Sequence, residues 1–375
     1  MLDWGERDTA DIDRDWLEAA AGLARARGGA AQLCVVRDGT VVLDRAYGCG
    51  PGALFWIFST SKPFAALLVH RLVERGALGL DDPLATHWPE FAARGKERIT
   101  VRHVLQHRSG LPVARSSLLD ALAMTDWDAS VRAVERARPR FAAGEGPAYQ
   151  YVSYGFLLGE LLRRVTGDPV RELLAAEILH PLEMRDTYLG LPDEHWGRHV
   201  PIHGRATGPQ VAAAYLNRRS TRRAVIPAAG VSTTARDLAV LYAQLVAGGG
   251  RLLSPATLAV ATTPTSDGTV DGLIRLPIRW SHGFQLGGPG LDADRPRPFG
   301  RTSSPLTFGH NGSNVCVAWA DPTRRLVMVY LTNLLEPRHD GAAAQNAVSE
   351  AVLAACPPVP PNPPNPANRD GHIRP

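Results

Sequence analysis

The chain has 375 residues, 45% hydrophobic and 21% charged, which is long enough for substantial cores and argues against a largely disordered protein. Its 41 Lys and Arg against 37 Asp and Glu leave a formal charge of +4 with no basic block, so no nucleic-acid partner is implied. Cys34, Cys49, Cys316 and Cys356 form no Cys-x-x-Cys pair and read as reduced core residues, neither a disulfide framework nor a metal site.

The opening stretch, MLDWGERDTADIDRDW, is acidic and polar and lacks the basic and apolar regions of a secretory leader. No run reaches the roughly 18 apolar residues of a membrane span, so a cytoplasmic protein without membrane attachment is expected. Residues 13–27 predict an amphipathic helix with Trp16, Leu17, Ala20 and Leu23 on one side. AQLCVVRDG and TVVLDRAYG meet at Asp38-Gly39 and predict a hairpin. Residues 63–75 return to helical spacing, with Phe64, Leu67, Leu68 and Leu72 as the apolar face.

Just before that helix stands Ser59-Thr60-Ser61-Lys62. Side chains three apart on a helical turn face the same way, so Ser59 and Lys62 are placed to meet. A serine alcohol needs a partner to take its proton, and an amine made less basic by burial can do so. The helix dipole also disfavours a cation at this end. One tension is Pro63, because the residue before a proline is biased away from helical geometry and that residue is Lys62.

From Leu80 to about Trp280 the pattern is mostly helical, with helices expected at 101–107, 154–166, 170–179 and 235–247. The basic run Arg132 to Arg140 carries an acid and a proline and no interleaved aromatics, and reads as a solvated face. After Thr307 the chain turns β-rich in VCVAWAD and LVMVYLTN, joined across Pro322-Thr323-Arg324, and closes in a helix over 341–355. Strands at both ends with helices between predict an α+β architecture. We expect one domain over 1–356, with a sheet subdomain from about 1–75 and 285–356 and a mostly helical insertion over about 76–284. Residues 357–375 are proline-rich and read as a disordered or polyproline tail whose removal leaves activity intact.

Two further segments join the Ser-x-x-Lys. GEGPAYQYVSYGFLLG, from Gly144, puts Tyr149 in a loop leading into a helix, and FGHNGSN, from Phe308, is a Gly-punctuated turn entering a strand. With FSTSKPF they resemble the three-part signature of the penicillin-recognising serine hydrolases, in the class C β-lactamase and carboxylesterase branch. LVERGALGLDDPLATHWPEFAARGKERITVRHVLQHRSGLP, ILHPLEMRDTYLG and PAAGVSTTARDLA continue the likeness in order, over roughly residues 30–355. The resemblance implies a β-lactamase/transpeptidase-like fold, with an antiparallel sheet flanked by helices and an all-helical subdomain. It also implies roles: Ser59 as nucleophile, Lys62 as the group that takes its proton, and Tyr149, as phenol or phenolate, as relay to the leaving group. The N–H groups of Ser59 and Ser313 would form the oxyanion hole, and Gly312 would let the strand approach the ester without a side chain in the way.

Departures from the pattern narrow the chemistry. His310 stands where β-lactamases and transpeptidases carry a lysine, and Tyr149-Gln150-Tyr151 lacks the asparagine of the usual Tyr-x-Asn. Both point to esters over β-lactams. Tyr151 rivals Tyr149, which is preferred because its distances from Gly144 and from Ser153-Tyr154-Gly155 fit the esterase pattern better. Phe55, Trp56 and Phe58 read as core, whereas Trp280, His282 and Phe284 are candidates for lining an acyl pocket. His103 and His107 have metal-ligand spacing but no glutamate between them, so packing is the preferred reading. No Gly-x-Ser-x-Gly elbow offers another route to an esterase.

The expected function is therefore a serine carboxylesterase acting on a small-molecule ester, with no metal or organic cofactor implied. Alternatives are an acyltransferase using the same acyl-enzyme, a D-amino-acid peptidase, a weak β-lactamase, or a catalytically silent scaffold. Retention of Ser59, Lys62 and a suitable tyrosine weighs against the last.

Overall fold

The computed structural model describes all residues except 1, 3, 8, 10, 290–294 and 360–375, so the expected tail lies outside the described residues beyond Val359. Among the described residues the largest sheet has seven strands, all antiparallel. Their spatial order is Thr40–Tyr47, Ala31–Arg37, Leu326–Thr332, Cys316–Asp321, Phe308–Gly312, Gln285–Leu286 and Arg279–Trp280. The N-terminal hairpin thus pairs directly with the C-terminal strands, with Ala31 opposite Thr332.

Both faces of the sheet are covered, which explains why Leu326–Thr332 is buried along its whole length instead of alternating. One face packs against the helices Arg14–Ala26 and Arg338–Ala355 through Leu33, Val35, Trp319 and Met328. The other packs Cys34, Val36, Ala318 and Val329 toward the helix Ala235–Val246 and the rest of the molecule. In the first helix the buried side is Leu17, Ala20, Ala21 and Ala24, while Trp16 and Leu23 are 49% and 42% exposed. The expected apolar side is therefore displaced, because small alanines allow close approach to the C-terminal helix. Arg132 and Arg136 on the helix Trp127–Arg136, and Arg138 and Arg140 beyond its end, are exposed.

Two corrections concern strands. Phe308–Gly312, expected as a turn, is a strand paired with Cys316–Asp321. Val231–Thr233 and Tyr188–Leu189, from the stretch expected to be mostly helical, join Phe55–Trp56 in a three-stranded sheet beside the nucleophile turn. Strands of two or three residues carry no readable period. The helix expected over 170–179 is α-helical to Leu174 and continues as a π-helical turn over Ala175–Leu179. Phe55, Trp56 and Phe58 are core. Among the described residues no helix is long and apolar enough to cross a membrane.

Candidate active site

Ser59 lies in a 3-10 turn, Phe58–Ser61, that runs into the helix Lys62–Glu74. Phe58 enters the turn at φ 50°, a left-handed geometry that a bulky side chain adopts only when its surroundings impose it. Lys62 takes φ −57° and ψ −40°, helical despite Pro63, which is tolerated because a proline's missing N–H has no acceptor in a first turn. Every residue of the motif is engaged. Thr60 Oγ1 donates to the His310 carbonyl (3.2 Å) and Ser61 Oγ accepts from the Val231 N–H (3.2 Å), fastening the turn to two strands.

Lys62 is buried, and its Nζ lies 2.8 Å from the Tyr151 carbonyl, 3.3 Å from the Ala228 carbonyl and 3.3 Å from Ser59 Oγ. Burial alone pushes the amine well below its ordinary pKa. A neutral amine has two N–H donors and one lone pair. In that form its two N–H groups can go to the two carbonyls, which only accept, leaving the lone pair for the Ser59 hydroxyl.

Tyr149 stands across from this pair, with its ring centroid 4.6 Å from Lys62 Nζ. Burial pushes its phenol up, and the neighbouring Ser59 side chain offsets only part of that, so the ring is a neutral phenol near pH 7. It stacks on Trp280 with centroids 5.4 Å apart and planes 10° from parallel. Tyr151 occupies a different place: its carbonyl receives Lys62, while its side chain is 40% exposed and lines the cleft.

His310 is buried in the strand that flanks Ser59. Its Nδ1 donates to the Asn311 carbonyl (2.8 Å), so Nε2 carries the lone pair and has no partner among the described residues. Burial pushes the imidazole down to about 3, and it is uncharged at neutral pH. Beyond it the Val315 N–H bonds the Gly312 carbonyl at 2.9 Å, closing a tight turn whose central residues, Ser313 and Asn314, have φ of 52° and 56°. This is the type I′ hairpin geometry. Asn311 braces it by accepting from the Asn314 N–H at 3.0 Å. Ser313 lines the cleft with Ser59, and its N–H is not used by the turn's closing bond.

Gly312 serves a purpose other than the expected one. A Cβ there would lie 2.2 Å from the Ile57 carbonyl oxygen and 2.8 Å from Thr60 Oγ1, so its bare face meets the nucleophile turn and not the ester. Gly312→Ala is therefore expected to force strand and turn apart, costing about 1–3 kcal/mol of stability together with most activity. A melting curve run beside an ester assay checks both.

The cleft in front of Ser59 holds about 500 Å³ and is lined by Tyr149, Tyr151, Leu273, Ile274, Ile278, Trp280 and His310 among others. Of the three expected acyl-pocket residues only Trp280 lines it. His282 turns away to Arg102 Nη1 (3.2 Å) and Gln106 Nε2 (2.8 Å), and Phe284 packs edge-on against Phe308. His103 Nδ1 accepts from the Thr100 N–H as part of a helix N-terminal cap. His107 is buried beneath the site, accepts from the Gln150 N–H through Nδ1 (3.2 Å) and contacts the rings of Tyr149 and Trp280. Asp271, which no sequence signal picked out, bonds the Tyr149 N–H at 2.9 Å.

The family described as Beta-lactamase matches residues 17–353. The chain belongs to the beta-lactamase family. Within this beta-lactamase family the chain is 28% identical to "Esterase/beta-lactamase LipL" of Mycobacterium tuberculosis (strain ATCC 25618 / H37Rv), over 83% of this chain and 79% of that one. A penicillin-binding protein homologue from Caulobacter crescentus superposes with a TM-score of 0.76 at 30% identity, covering 93% of this chain and all of that one. A family VIII carboxylesterase structure superposes with a TM-score of 0.76 at 26% identity, covering 91% of this chain and 98% of that one. The resemblance read from the three motifs, and the β-lactamase/transpeptidase-like fold it implied, hold.

Proposed function

We propose that this beta-lactamase-family protein is a serine hydrolase that cleaves carboxylic esters through an acyl-enzyme on Ser59. The observation that carries the reading is the buried Lys62 amine held between two carbonyls and Ser59 Oγ. Ser59 Oγ attacks the ester carbonyl while its proton passes to the neutral amine. The N–H groups of Ser59 and Ser313 receive the oxyanion; the first belongs to the opening turn of a 3-10 helix, where no intrahelical carbonyl is available. The carbon–oxygen bond to the alcohol then breaks, the alkoxide takes the Tyr149 phenol proton, and the Lys62 ammonium restores it. Water repeats the sequence on the acyl-enzyme, releasing acid and Ser59.

Esters are favoured over β-lactams for two physical reasons. His310 is uncharged and so supplies no cation for a β-lactam carboxylate, and Tyr151 offers no amide to a substrate carbonyl. The aliphatic part of the lining, Leu273, Ile274 and Ile278, suits an apolar acyl or alcohol group, while Arg279 and Arg338 also line the cleft. Four free cysteines, three of them buried, support a reducing, cytoplasmic setting. Supplying nitrophenyl esters of increasing acyl length beside a chromogenic cephalosporin tests the preference. We expect ester turnover to exceed cephalosporin turnover by about 10³-fold or more; comparable rates would refute it. An alcohol in place of water would make the same acyl-enzyme a donor, and added methanol raising the rate of nitrophenol release would reveal that transfer.

A further inference from the structure

Asp271 lies outside the three motifs and is fully buried. Its Oδ1 accepts the N–H groups of Leu273 and Ile274, both at 2.9 Å. The Tyr149 N–H lies 3.0 Å from Oδ1 and 2.9 Å from Oδ2, and the Trp280 indole N–H reaches Oδ2 at 3.2 Å. Three peptide donors and one side-chain donor thus converge on one carboxylate. A carboxylate only accepts, which matches four converging donors; an amide would turn one of its ends into a fifth donor. Leu273, Ile274 and Trp280 are cleft wall, and the Gly272 N–H is bonded to the Pro147 carbonyl at 2.9 Å, two residues before Tyr149. Tyr149 is therefore held at its main chain by Asp271 and at its ring by Trp280, which Asp271 also holds.

We infer that Asp271 is the positioning residue for Tyr149, fixing with one carboxylate the tyrosine's main chain, its stacking partner Trp280 and the adjoining cleft wall. The inference rests on reading Tyr149 as the group that protonates the leaving alkoxide. Its signature is specific, because that proton matters little to a nitrophenolate and greatly to a basic alkoxide. A residue that merely supported the fold would lower both rates alike.

The test compares wild type, Asp271→Asn, Tyr149→Phe and the double variant on a nitrophenyl ester and an alkyl ester of the same acid. In kcat/KM, which reports acylation and leaves out the deacylation step common to both esters, Tyr149→Phe is expected to lose about 100-fold on the alkyl ester and only a few-fold on the nitrophenyl ester. Asp271→Asn is expected to show the same bias, with about a tenfold loss on the alkyl ester, and to add no further bias in the Tyr149→Phe background. Bias in Tyr149→Phe but equal losses in Asp271→Asn overturns the inference alone, as does added bias in the double variant. Absence of bias in Tyr149→Phe itself overturns the reading of Tyr149 and the inference with it. Should Asp271→Asn fail to fold, Trp280→Phe keeps an aromatic ring beside Tyr149 and removes the indole donor together with part of the ring system; a bias of about twofold is expected there, and none contradicts the inference.

Discussion

Ser59→Ala is expected to lower kcat for esters by about 10⁵-fold while leaving the protein folded. The substitution removes the atom that bonds the acyl group, and neither neighbour replaces it. Tyr149 is a neutral phenol and Lys62 is turned toward the Tyr151 and Ala228 carbonyls, which keep their bonds when Oγ is gone. Ser59 is a small side chain at the cleft wall, so its truncation opens little cavity in the core. The melting temperature should stay within a few degrees of wild type. Steady-state kinetics on a nitrophenyl ester and a thermal melt check the two halves, and turnover within tenfold of wild type would remove Ser59 as nucleophile.

Lys62→Met comes next in size, with an expected fall of about 10³-fold in kcat/KM. The wild-type profile should rise with pH along an acid limb and flatten once the amine is neutral, since only the neutral form can take the Ser59 proton. That limb should vanish in Lys62→Met. Stability carries a second signature. Burial lowers the folded-state pKa of Lys62 below its unfolded value, so between the two the unfolded chain binds more protons and stability rises with pH. Below the folded-state pKa both states are charged and the full burial cost is present; above the unfolded value near 10.5 both are neutral and the cost is gone. Wild type should therefore gain stability relative to Lys62→Met as pH rises toward 10, measured by denaturant unfolding at several pH values. A gain in the opposite direction would mean that Lys62 is held as an ammonium. Lys62→Arg should not rescue, because a guanidinium does not give up its proton at any working pH.

The parts of this site that were legible in the sequence are those whose chemistry is local. Ser59 and Lys62 sit one helical turn apart, and the turn and helix that carry them follow from the apolar spacing of Phe64, Leu67, Leu68 and Leu72. Tyr149 and His310 were reachable only through the order of their motifs, since nothing in their own neighbourhoods states that they meet Lys62. The central strands read clearly because long apolar runs such as LVMVYLT are buried throughout. What stayed hidden depends on long-range contact. Gly312 looks like a glycine cleared for a ligand, yet the obstacle it avoids is the Ile57 carbonyl, 255 positions earlier in sequence. Asp271 lies in a loop whose local pattern, TVDGLIR, reads as an ordinary turn, and its bond to Tyr149 spans 122 positions. His107 was visible as one of two histidines four apart, but its role under Tyr149 is set by packing and not by that spacing.

The most direct test of the account is intact-protein mass spectrometry of enzyme mixed with a nitrophenyl ester and quenched in acid within the first turnovers. The account predicts a mass increase equal to one acyl group less one hydrogen, carried on the peptide containing Ser59 and absent from Ser59→Ala. An acyl group found on another residue, or steady turnover by Ser59→Ala with no adduct in either protein, would contradict it.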